Sequence, residues 1–168
     1  GNRDKDKFYK IFDLIFKKYN NRYNSVFIDS FAAGKSYPNK IIDNIYKPNH
    51  EIDFVISLGG DGSILSAVSR MSDNQIPILG IHIGELGFLN QANLTDYKII
   101  INDIIKINRF DYSKHPLLTA SIYHNNKKVE KLHSLNDFAI NQKTYSRLLK
   151  MDVEINGDFL NMYNCDGL

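Results

Sequence analysis

Little in this chain places it outside the ordinary globular class. Its 168 residues hold one cysteine, Cys165, which excludes an intrachain disulfide framework and fits a reducing compartment. No apolar run approaches the roughly 18 to 20 residues of a membrane span. The opening GNRDKDK is polar and has no apolar stretch of the kind a secretory signal carries. The formal net charge is only +2, too small to call for nucleic acid or a membrane surface. His82, His115, His124 and His133 have no metal-ligand spacing among them. No internal repeat or low-complexity tract is present. The expectation is a cytoplasmic protein with one good core, or one domain and part of another.

Against these absences stands one stretch, Ile52 to Gly62, IDFVISLGGDG. Its first seven residues are almost wholly apolar and rich in β-branched types, which predicts a strand buried on both faces. Gly59, Gly60 and Gly62 then surround Asp61. Glycine allows positive φ and lets a ligand approach where a Cβ would block it. From Ser63 to Met71, Ile64, Leu65, Val68 and Met71 fall at helical spacing. A strand, a glycine turn and a helix in that order place Asp61 where open α/β sheets bind ligands. Amide groups at the helix start would attract phosphate oxygens. A carboxylate as short as Asp61 is expected to have no packing role there.

The remaining segments follow the same logic. Phe8, Ile11, Phe12, Ile15, Phe16 and Tyr19 form the apolar stripe of a helix over Asp6 to Tyr19. Ser25 to Asp29 reads as a strand. The AAGKS run at Ala32 to Ser36 is not a phosphate loop, because Asp29 stands where that motif needs its first glycine. Gly34 to Asn39 reads as a connection, and Ile41 to Ile45 as a weak element ended by Pro48. Pro77 to His82 predicts a second buried strand, followed by a glycine turn at Ile83 to Asn90, IGELGFLN. Gly80, Gly84 and Gly87 do not have the spacing of the dinucleotide fingerprint. Thr95 is the expected cap of a helix reaching about Ile107, with Ile100, Ile101, Ile104 and Ile105 on its apolar side.

The pattern changes near Arg109. Leu117 to His124, Lys127 to His133, Asn136 to Asn141 and Leu148 to Ile155 are short runs separated by turn signals. Asn125-Asn126 and Asn156-Gly157 are the turns, and Phe159 to Tyr163 is the return strand of the second hairpin. The predicted fold class is α/β. An N-terminal parallel-sheet, Rossmann-like domain over 1–107 precedes the start of an antiparallel β-rich domain over 108–168.

Four segments now stand in order: SLGGDGS at Ser57 to Ser63, GELGFL at Gly84 to Leu89, LND at Leu135 to Asp137, and CDGL at Cys165 to Leu168. The ordered set resembles the NAD kinase family over most of the chain from about Asp53 onward. The resemblance implies transfer of a phosphoryl group from ATP, or from polyphosphate, to the adenosine ribose 2′-hydroxyl of NAD, giving NADP. It implies a divalent metal such as magnesium entering with ATP, and a homodimer or homotetramer. It assigns Asp61 to catalysis at that hydroxyl, as proton acceptor or as metal ligand. Gly60, Gly62, Phe88, Asn136, Asp137 and Asp166 would contact NAD, with Phe88 on the adenine side and Asp166 reaching a neighbouring subunit's ligand. Asp137 stands where the family usually has Glu and reaches less far. Asn164 stands where it often has Arg. No residue of the chain itself is implied as a metal cluster.

The family continues past the DGL segment into a Thr/Ser-Gly-rich motif, so the expectation is that this chain is part of a longer enzyme with an incomplete pocket of its own. Lys143, Arg147 and Lys150 read as a solvated face, and Tyr145 as a loop residue able to stack on a base. Two other readings stay open from the residues alone: another GGDG-type kinase acting on a lipid or sugar phosphate, and a non-catalytic NAD-binding module.

Overall fold

The computed structural model describes residues 6–21, 24–29, 50–84, 87–107, 111–142 and 148–168. The AAGKS run, Gly34 to Asn39, Ile41 to Ile45, Glu85, Leu86, Arg109, Lys143, Tyr145 and Arg147 therefore lie outside the described residues. The elements are α1 (Asp6–Tyr19), β1 (Val55–Leu58), α2 (Asp61–Met71), β2 (Ile78–Ile81), α3 (Tyr97–Ile107), β3 (Leu118–His124), β4 (Lys127–Ser134), β5 (Leu149–Ile155) and β6 (Asp158–Cys165).

β1 and β2 pair in parallel, with Val55 opposite Ile78 and Leu58 opposite Ile81. Ala92 extends this pair through a parallel bridge to Ile81. The apolar stripe of α1 and the inner side of α3 close over these strands in one core. Phe8, Phe12 and Ile15 meet Leu58, Leu79, Ile81, Tyr97 and Ile101 there. Ile81 and Ile101 are the most deeply buried, at 0% and 1% exposure. Burying a side chain of this size stabilises the fold by roughly 1.5–3 kcal/mol. The Tyr19 hydroxyl ties α1 to α3, lying 3.2 Å from the Lys98 carbonyl and 3.1 Å from Asn102 Oδ1.

After α3 the pairing becomes antiparallel. β3 pairs with β4 and β5 with β6. Asn125 and Asn126 both have positive φ (50° and 60°), as do Asn156 and Gly157 (55° and 90°). Positive φ at both central residues is what a tight hairpin turn matching the strand twist requires. The hairpin β3–β4 meets the end of α2 through one carboxylate. Asp73 accepts from Lys131 Nζ at 2.5 Å and from His133 Nε2 at 2.8 Å. On its other side the His133 ring lies 3.1 Å from Thr119 Oγ1, across the hairpin.

Three sequence expectations are corrected. Ser25 to Asp29 is not a strand: only Ile28 makes a bridge. Thr95 is not the cap of α3. Asn93 and Asp96 exchange bonds, Asp96 N–H donating to Asn93 Oδ1 at 3.2 Å and Asn93 N–H to Asp96 Oδ1 at 2.7 Å. That reciprocal pair satisfies two donors that a lone threonine hydroxyl would leave open. Asn136 to Asn141 is a bend and an extended segment, with bridging only at Asn141. The polar pair Asn136-Asp137 favours a local turn over a ladder.

Candidate active site

The site begins where β1 ends. Gly59 N–H donates to the Ile81 carbonyl at 3.0 Å, the last bond of the parallel pair. The chain then turns with Gly59 at φ +149°, a conformation essentially restricted to glycine. Gly60 is extended and α2 starts at Asp61, two residues earlier than the apolar spacing predicted. A carboxylate in the first turn of a helix is favoured by the helix dipole.

Asp61 reaches across from α2 to the turn that follows β2. Its Oδ2 accepts from Phe88 N–H at 2.9 Å, and its Oδ1 from Leu89 N–H at 3.0 Å and Asn90 Nδ2 at 3.2 Å. The expectation that this short carboxylate has no packing role is therefore overturned: it clasps the two glycine turns together. Gly87 explains how the turn comes so close. A Cβ there would strike the Asp61 carboxylate, its carbon lying only 2.5 Å away.

Gly60 and Gly62 behave differently. Neither has positive φ, and an added Cβ would meet nothing within 4 Å at either position. Gly62 lies inside α2, where glycine costs about 1 kcal/mol relative to alanine. No contact within the described residues demands glycine at these two positions, and the space before them is open. The Phe88 ring is fully exposed although its N–H is engaged.

The other expected residues lie on the antiparallel part. Asn136 and Asp137 are exposed in the bend after β4, with Asn136 N–H donating to Ser134 Oγ at 3.3 Å. Asp166 follows β6. Its carbonyl accepts from Gln142 N–H at 3.0 Å and its Oδ1 from Gln142 Nε2 at 2.7 Å. Ile140 and Leu168 exchange backbone bonds of 2.8 and 2.9 Å beside them. The four motifs thus meet in two pairs: GGDG with GELGFL through Asp61, and the segment after LND with CDGL through Gln142. Among the described residues no hydrogen bond joins one pair to the other.

Sequence reasoning missed Asn90, although it closes the IGELGFLN turn. Its signal was its place immediately after the motif, one residue beyond the two amides that bind Asp61. It also missed Asp73, a turn residue whose partners lie 58 and 60 positions away. Lys131 first and His133 second hold the Asp73 carboxyl below its ordinary range. Among the described residues no group of three or more His, Cys, Asp or Glu is placed to hold a metal. No helix among them is long and apolar enough to cross a membrane.

This geometry can be set beside known proteins. Residues 17–110, more than half of the chain, match the family described as the ATP-NAD kinase N-terminal domain. The chain belongs to the NAD kinase family. The match contains Asp61, Phe88 and Asn90 and stops before Asn136. The NAD kinase of Geotalea daltonii is 32% identical over 118 residues, 70% of this chain and 41% of that protein. The NAD kinase of Clostridium beijerinckii is 29% identical over 168 residues, 99% of this chain and 56% of that protein. The chain spans about half the length of the curated relatives it matches. A solved structure, yeast NADH kinase complexed with NADH, superposes with a TM-score of 0.64 at 21% identity. It covers 94% of this chain and 51% of the yeast chain, and at that identity the likeness speaks for the fold.

Proposed function

We propose that the intact protein transfers the terminal phosphoryl group of ATP to the adenosine ribose 2′-hydroxyl of NAD. The observation that carries this is Asp61, held by three donors at the C-terminal end of a parallel strand pair, in a chain of this family. In the proposed step the 2′-oxygen attacks the γ-phosphorus, the bond to the β-phosphate oxygen breaks, ADP leaves, and the hydroxyl proton passes to Asp61. Phosphoryl transfer asks mainly for in-line positioning and charge neutralisation. The first amides of α2 face phosphate oxygens with the positive end of the helix dipole. Gly60 and Gly62 leave room for the nucleotide, and Phe88 offers its ring to the adenine.

Asn136, able to donate and accept at once, suits a ribose diol. Asp137 and Asp166 complete the NAD-binding side of this reading, with the chain divided into an α/β domain over 1–107 and a β-rich domain over 108–168. A divalent cation enters with ATP and neutralises phosphate charge. The donor set fits one contact to such an ion, since magnesium is held largely by substrate phosphates and water with one or two carboxylates. Asp61 would supply that contact in the alternative reading, in place of taking the hydroxyl proton. The reading places the protein in the cytoplasm as a homodimer or homotetramer, with ATP or polyphosphate as donor.

The test is a coupled assay of NADP formation by the intact protein, with NADH offered beside NAD because the yeast neighbour carries NADH. Metal- and ATP-dependent NADP formation supports the proposal. NAD binding without turnover would leave a non-catalytic binding module, and turnover of a lipid or sugar phosphate instead would point to another GGDG-type kinase.

A further inference from the structure

Asp61 does not present its two oxygens equally. Each carboxylate oxygen has about two lone-pair directions. Among the described residues, Oδ1 receives two donors, Leu89 N–H and Asn90 Nδ2, whereas Oδ2 receives only Phe88 N–H. One acceptor direction remains, and it belongs to Oδ2. We propose that Asn90 is a positioning residue that turns Asp61 so that Oδ2 alone faces the acceptor hydroxyl. The proposal rests on the phosphoryl-transfer reading above and goes further in naming the residue that sets the geometry of the base.

Asn90 is itself anchored to the sheet. Its neighbours Gln91 and Ala92 donate their N–H groups to the Gly80 carbonyl at 3.1 and 3.0 Å. Gln91 Oε1 accepts from Gly80 N–H at 2.8 Å. Gly80 admits Asn90 to this position, because a Cβ there would lie 2.9 Å from Asn90 Oδ1 and 3.1 Å from its Cα. The amide orientation is fixed by charge, since the reverse would set oxygen against the Asp61 carboxylate. Asn90 Oδ1 is buried and has no hydrogen-bond partner. That end of the amide adds nothing to the stability of the fold, as a buried acceptor without a partner is a net cost. What the amide does supply is its Nδ2 donor to Asp61.

A role in stability and a role in positioning then part on two variants of the intact protein. Asn90→Leu keeps the size and removes both the orphaned oxygen and the donor. It is expected to melt no lower than the wild type, to keep its KM for NAD, and to lose kcat by roughly 10- to 100-fold, the scale of a small misplacement of a reacting group. Asn90→Asp puts a second carboxylate against the first. Two carboxylates in contact share a proton, so the acid limb of the pH–rate profile should move upward. Wild-type kcat in Asn90→Leu, or an unmoved acid limb in Asn90→Asp, would overturn the proposal. If Asn90→Leu melts early, the acid limb of Asn90→Asp decides alone. A wild type that forms no NADP would instead remove the phosphoryl-transfer reading itself.

Discussion

Asp61 and Asn136 are both short polar residues at the end of a strand, yet they sit in opposite settings. Asp61 is half-buried, fixed by three donors, and backed by a core whose buried apolar residues, among those described, lie between Phe8 and Ile101. Asn136 stands exposed in a bend, and the hairpins around it expose Val129, Phe159 and Met162. The difference teaches that the catalytic side of the proposed site is preorganised by the α/β part alone. The residues proposed to contact NAD follow two-stranded hairpins, an arrangement that has little stability of its own.

The largest expected effect lies in the core. Ile81→Ala should cost roughly 2–5 kcal/mol because it leaves a cavity. Val129→Ala, on the exposed hairpin, should stay within about 0.5 kcal/mol. Equal losses in denaturant unfolding would break the contrast. Next come the glycines. Gly59→Ala is forced into a strained backbone and should cost roughly 1–3 kcal/mol. Gly60→Ala should melt like the wild type and bind nucleotide more weakly, since its methyl group enters open space. A Gly60→Ala variant with lower stability and intact affinity would reverse that assignment.

On the other side, Asn136→Ala should weaken NAD binding by roughly 1–3 kcal/mol through an unpaired ligand hydroxyl. Its melting temperature should not change. Unaltered affinity by calorimetry would remove Asn136 from the site. The smallest effect concerns the clasp between the parts. The Asp73 carboxyl is held below its ordinary range in the folded protein, by Lys131 and then His133. A depressed carboxylate stabilises above its unfolded value and loses that contribution as pH falls through its folded value. The clasp is therefore complete at neutral pH and opens only in acid, below the ordinary carboxylate range. Amide exchange in Lys127–Ser134 should quicken there in the wild type, and at neutral pH in Asp73→Asn. Exchange that ignores both would show that Asp73 does not hold the hairpin.

Much of this was readable from residue order. The stripe Phe8 to Tyr19, the buried run ending at Leu58, and the Asn125-Asn126 and Asn156-Gly157 turns each carry their geometry locally, through periodicity or through tolerance of positive φ. Asp61 was placed correctly at a strand end. Its clasp was not legible, because the donors are backbone amides 27 and 28 residues away and amides have no sequence signature. The cap of α3 was misread for a similar reason. Thr95 has the right type, but the reciprocal pair Asn93 and Asp96 satisfies more donors. The composition of Asn136 to Asn141 suggests a strand, whereas its pairing depends on Asp166 to Leu168 arriving beside Ile140 and Gln142.

The central claim is that Asp61 takes the proton of the acceptor hydroxyl while it holds the second glycine turn. Asn at this position supplies one acceptor oxygen and turns its amide against a backbone N–H, so Asp61→Asn should melt somewhat lower than the wild type. The decisive measurement is its rate of NADP formation with NAD bound, in the intact protein at a temperature where it is folded. The account predicts NAD affinity within a few-fold of wild type and a rate lower by roughly 10² or more, at least about 2.7 kcal/mol in the barrier. A wild-type rate from folded, NAD-bound Asp61→Asn would contradict it and leave Asp61 as the clasp between two turns.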